Sequence, residues 1–172
     1  MRRLACCLLL LLPAGCGYRA RFDFPPHIQT FCVNTFRNKT LERNLDFEFT
    51  EALIHEILAK TTLRVAPPSK ADLVVDGEIE ALERHILRSR RYGEKMEARH
   101  ILYVNVEVLD RKKNTRFFEG EKITSRAEFN LNLGETPRQA REELIRELAR
   151  RVVSLAFERW PATPVEGKAS AE

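Results

Sequence analysis

The sequence is poor in the residues that small exported domains and enzymes commonly depend on. It has four cysteines in 172 residues, and two of them, Cys6 and Cys7, sit in the apolar N-terminal run. Only Cys16 and Cys32 follow, too few for a disulfide framework, so stability has to come from packing. None of the 7 glycines belongs to a phosphate-cradling loop after a strand. Histidines 27, 55, 85 and 100 lack metal-ligand spacing, and the zinc-protease start His55-Glu56 fails because Ala59 stands where the second histidine belongs. The longest apolar run, Leu4 to Leu12, has 9 residues, whereas a bilayer-spanning helix needs about 20. The net charge of +4 is too small to indicate general nucleic-acid binding, so local clusters matter more than the total. Nothing here assembles a catalytic constellation, and no enzyme, cofactor or metal is expected.

What is present starts at the N-terminus. Arg2 and Arg3, the short apolar run and the small residues Ala14 and Gly15 have the order of a secretory signal. Ala14-Gly15-Cys16 resembles the lipobox of bacterial lipoproteins, with Pro13 where that pattern usually has leucine. The resemblance implies a signal peptide over 1–15 and lipidation of Cys16 with fatty acyl groups such as palmitate, a membrane anchor of the kind several acyl chains provide. Cys32 would then be the one thiol left. Without Arg2 and Arg3, 27 basic residues face 25 acidic ones. Residues 16–26 read as a lipid-anchored tether stiffened by Pro25-Pro26. A single domain is expected over 27–160, with a polar, disordered tail over 161–172.

Within the domain the periods alternate. Ile28 to Asn34 is rich in β-branched and aromatic residues and predicts a strand. Leu45, Phe49, Leu53 and Ile57 place a helix over about 45–60, with Ala52, Ile54 and Leu58 widening its stripe. After Pro67-Pro68, Leu73, Val75, Gly77 and Ile79 alternate in a long strand to about Arg90. Its phase slips near Ala81-Leu82, predicting a bulge. Met96 to Leu109 alternates cleanly, with Ala98, Leu102, Val104, Val106 and Val108 on one side. Gly93 and Lys112-Lys113-Asn114 mark turns, and a strand returns from Arg116. Thr136, Pro137 and Gln139 compose a helix start, followed by the stripe Ala140, Leu144, Leu148, Val152 and Leu155. The order β-α-β-β-β-α predicts an α+β two-layer sandwich. Two helices pack on one face of a roughly four-stranded mixed sheet, with the first two strands parallel through a right-handed crossover.

Basic residues gather at the two hairpin tips. Arg88, Arg90, Arg91 and Lys95 are candidate contacts for phosphates, because guanidinium forks match phosphate oxygens. The meander puts the other tip, Lys112 and Lys113, at the N-terminal end, where anionic head groups would attract it. A turn at Tyr92-Gly93 would set His85 against His100.

Several stretches coincide with a known family. Cys16-Gly17-Tyr18, Val33-Asn34-Thr35-Phe36-Arg37-Asn38-Lys39-Thr40, Phe49-Thr50-Glu51-Ala52-Leu53, and Ala71-Asp72-Leu73 leading to Asp76-Gly77-Glu78-Ile79 resemble the lipopolysaccharide-assembly lipoproteins (LptE-like). The resemblance implies a lipoprotein on the periplasmic face of the outer membrane. It would plug the β-barrel translocon for lipopolysaccharide and assist its assembly in the cell envelope. The resemblance places no glycolipid contact on a particular residue; the match of that glycolipid's phosphates to the first tip rests on the guanidinium chemistry alone. The alternative is a lipoprotein adaptor or activator of a peptidoglycan synthase or of a curli-type secretion system, which opens with a similar strand and helix.

Overall fold

In this computed structural model, the residues described are Phe22, 24–89 and 95–158, with the side chains of 89, 95 and 96 excepted. The sequence expectations for Cys16, the signal peptide, most of the tether, Gly93 and the tail fall outside them. The chain runs β1 (Thr30–Val33), β2 (Arg37–Asn38), α1 (Leu45–Lys60), β3 (Arg64–Val65), β4 (Leu73–Ser89), β5 (Lys95–Asp110), β6 (Thr115–Asn130), a 3-10 turn (Leu131–Leu133) and α2 (Pro137–Phe157). The expected two-layer α+β architecture is what forms. The sheet has six strands rather than four, ordered β3-β1-β4-β5-β6, with β2 also on β4. The two extra strands, β2 and β3, have two residues each. Pairing defines them more than any pattern of their own.

β1 and β4 are parallel, and β4, β5 and β6 form an antiparallel meander. The register of β4 and β5 shifts between Ile79 and Ala81, at the bulge its sequence predicts. That register sets His85 opposite Arg99 and His100 opposite Arg84, so the two histidines do not face each other. The alternation has a direct result. Leu102, Val104, Val106 and Val108 are buried under the helices, while Tyr103, Asn105 and Glu107 occupy the open face in a half-buried state.

Both helices cover the same sheet face and pack against each other. α2 starts with the complete capping box, in which Thr136 accepts from the Gln139 amide and the Gln139 side chain accepts from the Thr136 amide. Such a cap supplies about 1 kcal/mol. α1 has no side-chain cap. Its N-cap residue, Asn44, is left-handed (φ 61°), and Asp46 and Glu48 in the first turn suit the helix dipole. The stripes Leu45, Phe49, Leu53, Ile57 and Ala140, Leu144, Leu148, Val152 are buried as expected. Leu58 and Leu155 are exceptions at 42% and 39% exposed, because each lies at the flank of its stripe. Phe36, in the kink between β1 and β2, packs edge-on to Phe49 at 4.9 Å and lies over Gly77. A methyl group at Gly77 would collide with the Phe36 ring and the Asn105 carbonyl.

Candidate functional site

The topology gives the sheet two unlike ends. β4 runs parallel to β1 and each helix runs back against the strand before it. Both helix N-termini therefore lie at the end toward which β4 extends, and both C-termini lie where the chain enters.

At the first end, the β4–β5 hairpin outruns the helical layer. Its uncovered residues Ile86 and Leu87 are 56% and 41% exposed. Arg88 is exposed here and pairs in register with Glu97. Arg90 and Arg91, and the side chain of Lys95, fall outside the described residues, so the expected phosphate-binding cluster is represented by Arg88 alone. Behind the hairpin lies a groove of about 1370 Å³. Leu82, Ile86, Ala98 and Phe129 contribute apolar surface to it, with α1 and α2 alongside. A charge network ties its walls together. Arg84 binds Glu42, and Arg141 reaches Glu48 at 2.8 Å, Glu42 at 3.2 Å and the Arg43 carbonyl at 2.9 Å. His100 lies against the Phe129 ring at 5.0 Å. Burial, then the Arg84 charge, hold its imidazole below the usual pKa, with Glu42 opposing.

At the other end the acids point inward. Asp72 accepts from the amides of Gln29 and Thr30 (both 2.9 Å), the Thr30 hydroxyl (2.8 Å) and Lys112 Nζ (2.8 Å). Burial pushes its carboxyl up, but those donors, Lys112 foremost, outweigh it and hold the group well below the usual range. Asp110, also buried, meets His27 Nε2 at 2.9 Å and accepts from the Lys113 amide at 3.1 Å. Burial raises its pKa, but the His27 and backbone hydrogen bonds prevail, and the net shift is downward. Lys112 Nζ also reaches the His27 carbonyl at 2.8 Å. It is thus an internal fastener as well as a tip cation, whereas the Lys113 side chain is exposed.

The entering chain is held along this end. The Phe22 amide donates to the Lys60 carbonyl at the close of α1 (3.1 Å). Phe24 packs edge-on to Phe157 of α2 at 5.3 Å, and Phe117 of β6 stacks on the same ring at 6.1 Å. Among the described residues, the domain's hold on the chain therefore includes Phe22, within the stretch assigned to the tether. Sequence reasoning missed this because two phenylalanines among Arg, Asp and Pro carry no period.

Catalytic chemistry gains no support from the geometry. Cys32 is buried, and burial, with the nearby Asp76 charge, pushes its thiol pKa up, away from the reactive thiolate. Among the described residues no three His, Cys, Asp or Glu side chains gather as a metal site, and no helix is long and apolar enough to cross a membrane. This is a domain of surfaces: an uncovered hairpin with a groove at one end, a basic rim at the other.

The family model for lipopolysaccharide assembly, LptE, matches residues 28–159. The chain belongs to that family. Its match spans β1 through α2, the whole of the two-layer unit. No curated protein matches this LptE-family chain by sequence. Among solved structures, the uncharacterized lipoprotein B of Nitrosomonas europaea is similar with a TM-score of 0.55 and 12% identity, covering 80% of this chain and 84% of its own. A protein of Xanthomonas campestris reaches 0.51 at 10% identity, covering 80% and 90%. A hypothetical protein of Chlamydia trachomatis reaches 0.50 at 15%, covering 75% and 98%. At such identities the likeness is one of fold.

Proposed function

We propose that this LptE-family chain is an outer-membrane lipoprotein, anchored on the periplasmic face through acylated Cys16, that partners and plugs a β-barrel translocon and assists lipopolysaccharide assembly. Membership of the lipopolysaccharide-assembly family carries the reading. The form of the β4–β5 hairpin supports it. The hairpin projects past the helices, is uncovered at Ile86 and Leu87, and lies at the end away from the chain's entry. A plug needs an element that enters the barrel while the anchor stays behind. In this reading Arg88, Arg90, Arg91 and Lys95 at the hairpin end contact glycolipid phosphates through charge-assisted hydrogen bonds, and Lys112 and Lys113 face the head groups of the anchoring membrane.

Affinity purification of the tagged full chain from its native envelope tests the proposal. An outer-membrane β-barrel that copurifies, and is lost when the hairpin residues 86–97 are replaced by a short turn, is the expected result. A peptidoglycan synthase domain in the barrel's place, or a barrel retained without the hairpin, overturns it. Labelled palmitate should enter the wild type and not the Cys16→Ala chain; a wild type without label removes the anchor from the reading.

A further inference from the structure

The sheet ends in an open edge. β6 is its last strand and, among the described residues, β5 is its one strand neighbour. From Ile123 to Asn130 the pairing with β5 runs without a shift. The far end of that run shows which backbone groups face outward. The Asn130 amide donates to Glu135 Oε2 at 2.6 Å, and its carbonyl accepts from the Glu135 amide at 3.4 Å. Asn130 therefore turns both groups away from β5. Alternation then turns the amides and carbonyls of Glu128, Arg126 and Thr124 outward as well. Native edges are usually blunted by bulges, charges or covering segments, and here such devices stand only at the two limits. Below Ile123 the strand bulges at Lys122 (φ 49°), whose amide is spent on Asn105 Oδ1 at 2.8 Å. Above Glu128, Glu135 occupies the lane. Between them the outward groups have no strand beside them among the described residues.

A cavity of about 460 Å³ lies in the same place. Thr124 and Arg126 line it from the open face of β6, Ser125 from the helical face, and Glu147 and Arg151 from α2. A lining drawn from both faces of one strand places the cavity along that strand's edge. Its charge is unbalanced, because Glu147 is held by Arg150 at 3.0 Å, while Arg126 and Arg151 are exposed and have no ion pair among the described residues. Ser125 is 5% exposed, and its hydroxyl has no hydrogen-bond partner among the described residues. An orphaned buried hydroxyl is costly, and an acceptor brought along the edge would relieve it. We infer that β6 from Ile123 to Glu128 is a strand-addition site for an extended, acidic segment of the barrel protein. The outward backbone groups call for a strand, and the two arginines with Ser125 call for carboxylates on it. The barrel as its source rests on the reading above; the edge stands without it. β6 finishes at the hairpin end, opposite Glu97, so this stretch enters a barrel with the hairpin. A closed barrel has no free edge of its own, which makes the added strand a loop or terminus that reaches the lumen.

The test measures how much barrel protein copurifies with tagged full-length variants from the native envelope, each checked for fold by circular dichroism and a melting curve. Proline at an outward position deletes the N–H that an added strand needs and spares the β5 ladder. Thr124→Pro should therefore retain about tenfold less barrel protein than Thr124→Ala, which keeps that donor. Arg126→Glu with Arg151→Glu should weaken capture by at least as much, through repulsion of the acidic segment. The charge-matched control, Arg64→Glu with Lys70→Glu on and beside β3, should stay within about twofold of wild type. If Thr124→Pro fails to fold, hydrogen exchange of the wild type decides. The amides of Thr124, Arg126 and Glu128 should exchange freely in the isolated chain and about tenfold more slowly in the complex. Equal capture by the proline and alanine variants, or unchanged exchange in the complex, overturns strand addition. Equal losses in the two charge reversals overturn the acidic occupant. Faster exchange at those three amides after deletion of residues 159–172 would make the chain's own tail the occupant and overturn the barrel segment. Any of these with the barrel still copurifying removes the edge inference alone; a wild type without a barrel removes the reading beneath it as well.

Discussion

At the entry end Asp72 and Asp110 are buried and point inward, whereas at the helix N-termini Glu42, Glu48, Arg84 and Arg141 neutralise one another side by side. The contrast separates two uses of charge. A carboxylate saturated by backbone amides and one ammonium becomes part of the packing, since removing it strands buried donors. The side chains of Glu42 and Arg141 keep 26% and 22% exposure, so water can replace either partner, and such pairs contribute little to stability. One end is therefore fixed, with Lys112 fastened into it and the Lys113 side chain exposed. The other is compensated, and it can open around the groove at small cost.

Breaking the first half of the contrast should have the largest effect. Asp72→Ala strands the Gln29 and Thr30 amides and Lys112 together, and should cost about 3 kcal/mol, a large share of the 5–15 kcal/mol typical of a domain. Urea denaturation measures it; a loss below 1 kcal/mol would mean that water already serves those donors. Asp72→Asn keeps an acceptor and should cost about half as much.

Acid should find the same weakness. Asp72 and Asp110 have folded pKa values below their unfolded ones, so their stabilisation is present above about pH 4 and is lost as pH falls through the folded values. His100, held neutral by burial, adds a shallower loss beginning below about pH 6.5, because the unfolded chain takes up that proton more readily. Melting temperature followed from pH 7 to 2 should show both limbs. Asp72→Asn should flatten the lower and His100→Gln the upper. A curve unchanged in both variants contradicts the assignment.

The smallest effect belongs to the compensated end. Arg141→Gln should cost less than about 1 kcal/mol, yet it should speed hydrogen exchange at the start of α1 and in β4 near Arg84, since it unties Glu42 and Glu48 from α2. An Arg141→Gln loss as large as that of Asp72→Ala would erase the distinction between the ends.

How much of this was legible depended on the range of the interaction that decides each feature. Local period and capping carried α1, α2 and the long strands, because Leu102-to-Val108 alternation and the Thr136 box are written within a few residues. The bulge at Ala81 was visible as a phase slip. β2 and β3 were not, since two residues carry no period and exist as strands through partners such as Glu78 and Phe31. The site followed the same rule. Its two ends could be drawn from the meander, but Lys112 looked like a free tip cation because its partners, Asp72 and His27, are 40 and 85 residues away in sequence. The Arg141 network bridges 93 to 99 residues, a separation at which the residue types alone select no partner.

The strap from Phe22 to His27 has a consequence for the order of folding. β4, β5 and β6 can zip from their own turns, since each hairpin contact closes a short loop. The strap has no such partner. His27 meets Asp110 across 83 residues, and Phe24 packs on Phe157 near the end of α2. Loop closure over such separations is entropically late, so the first described residues of the chain should be the last to settle. A protein tethered by its N-terminus would then complete its fold at the tethered point, on a meander already built.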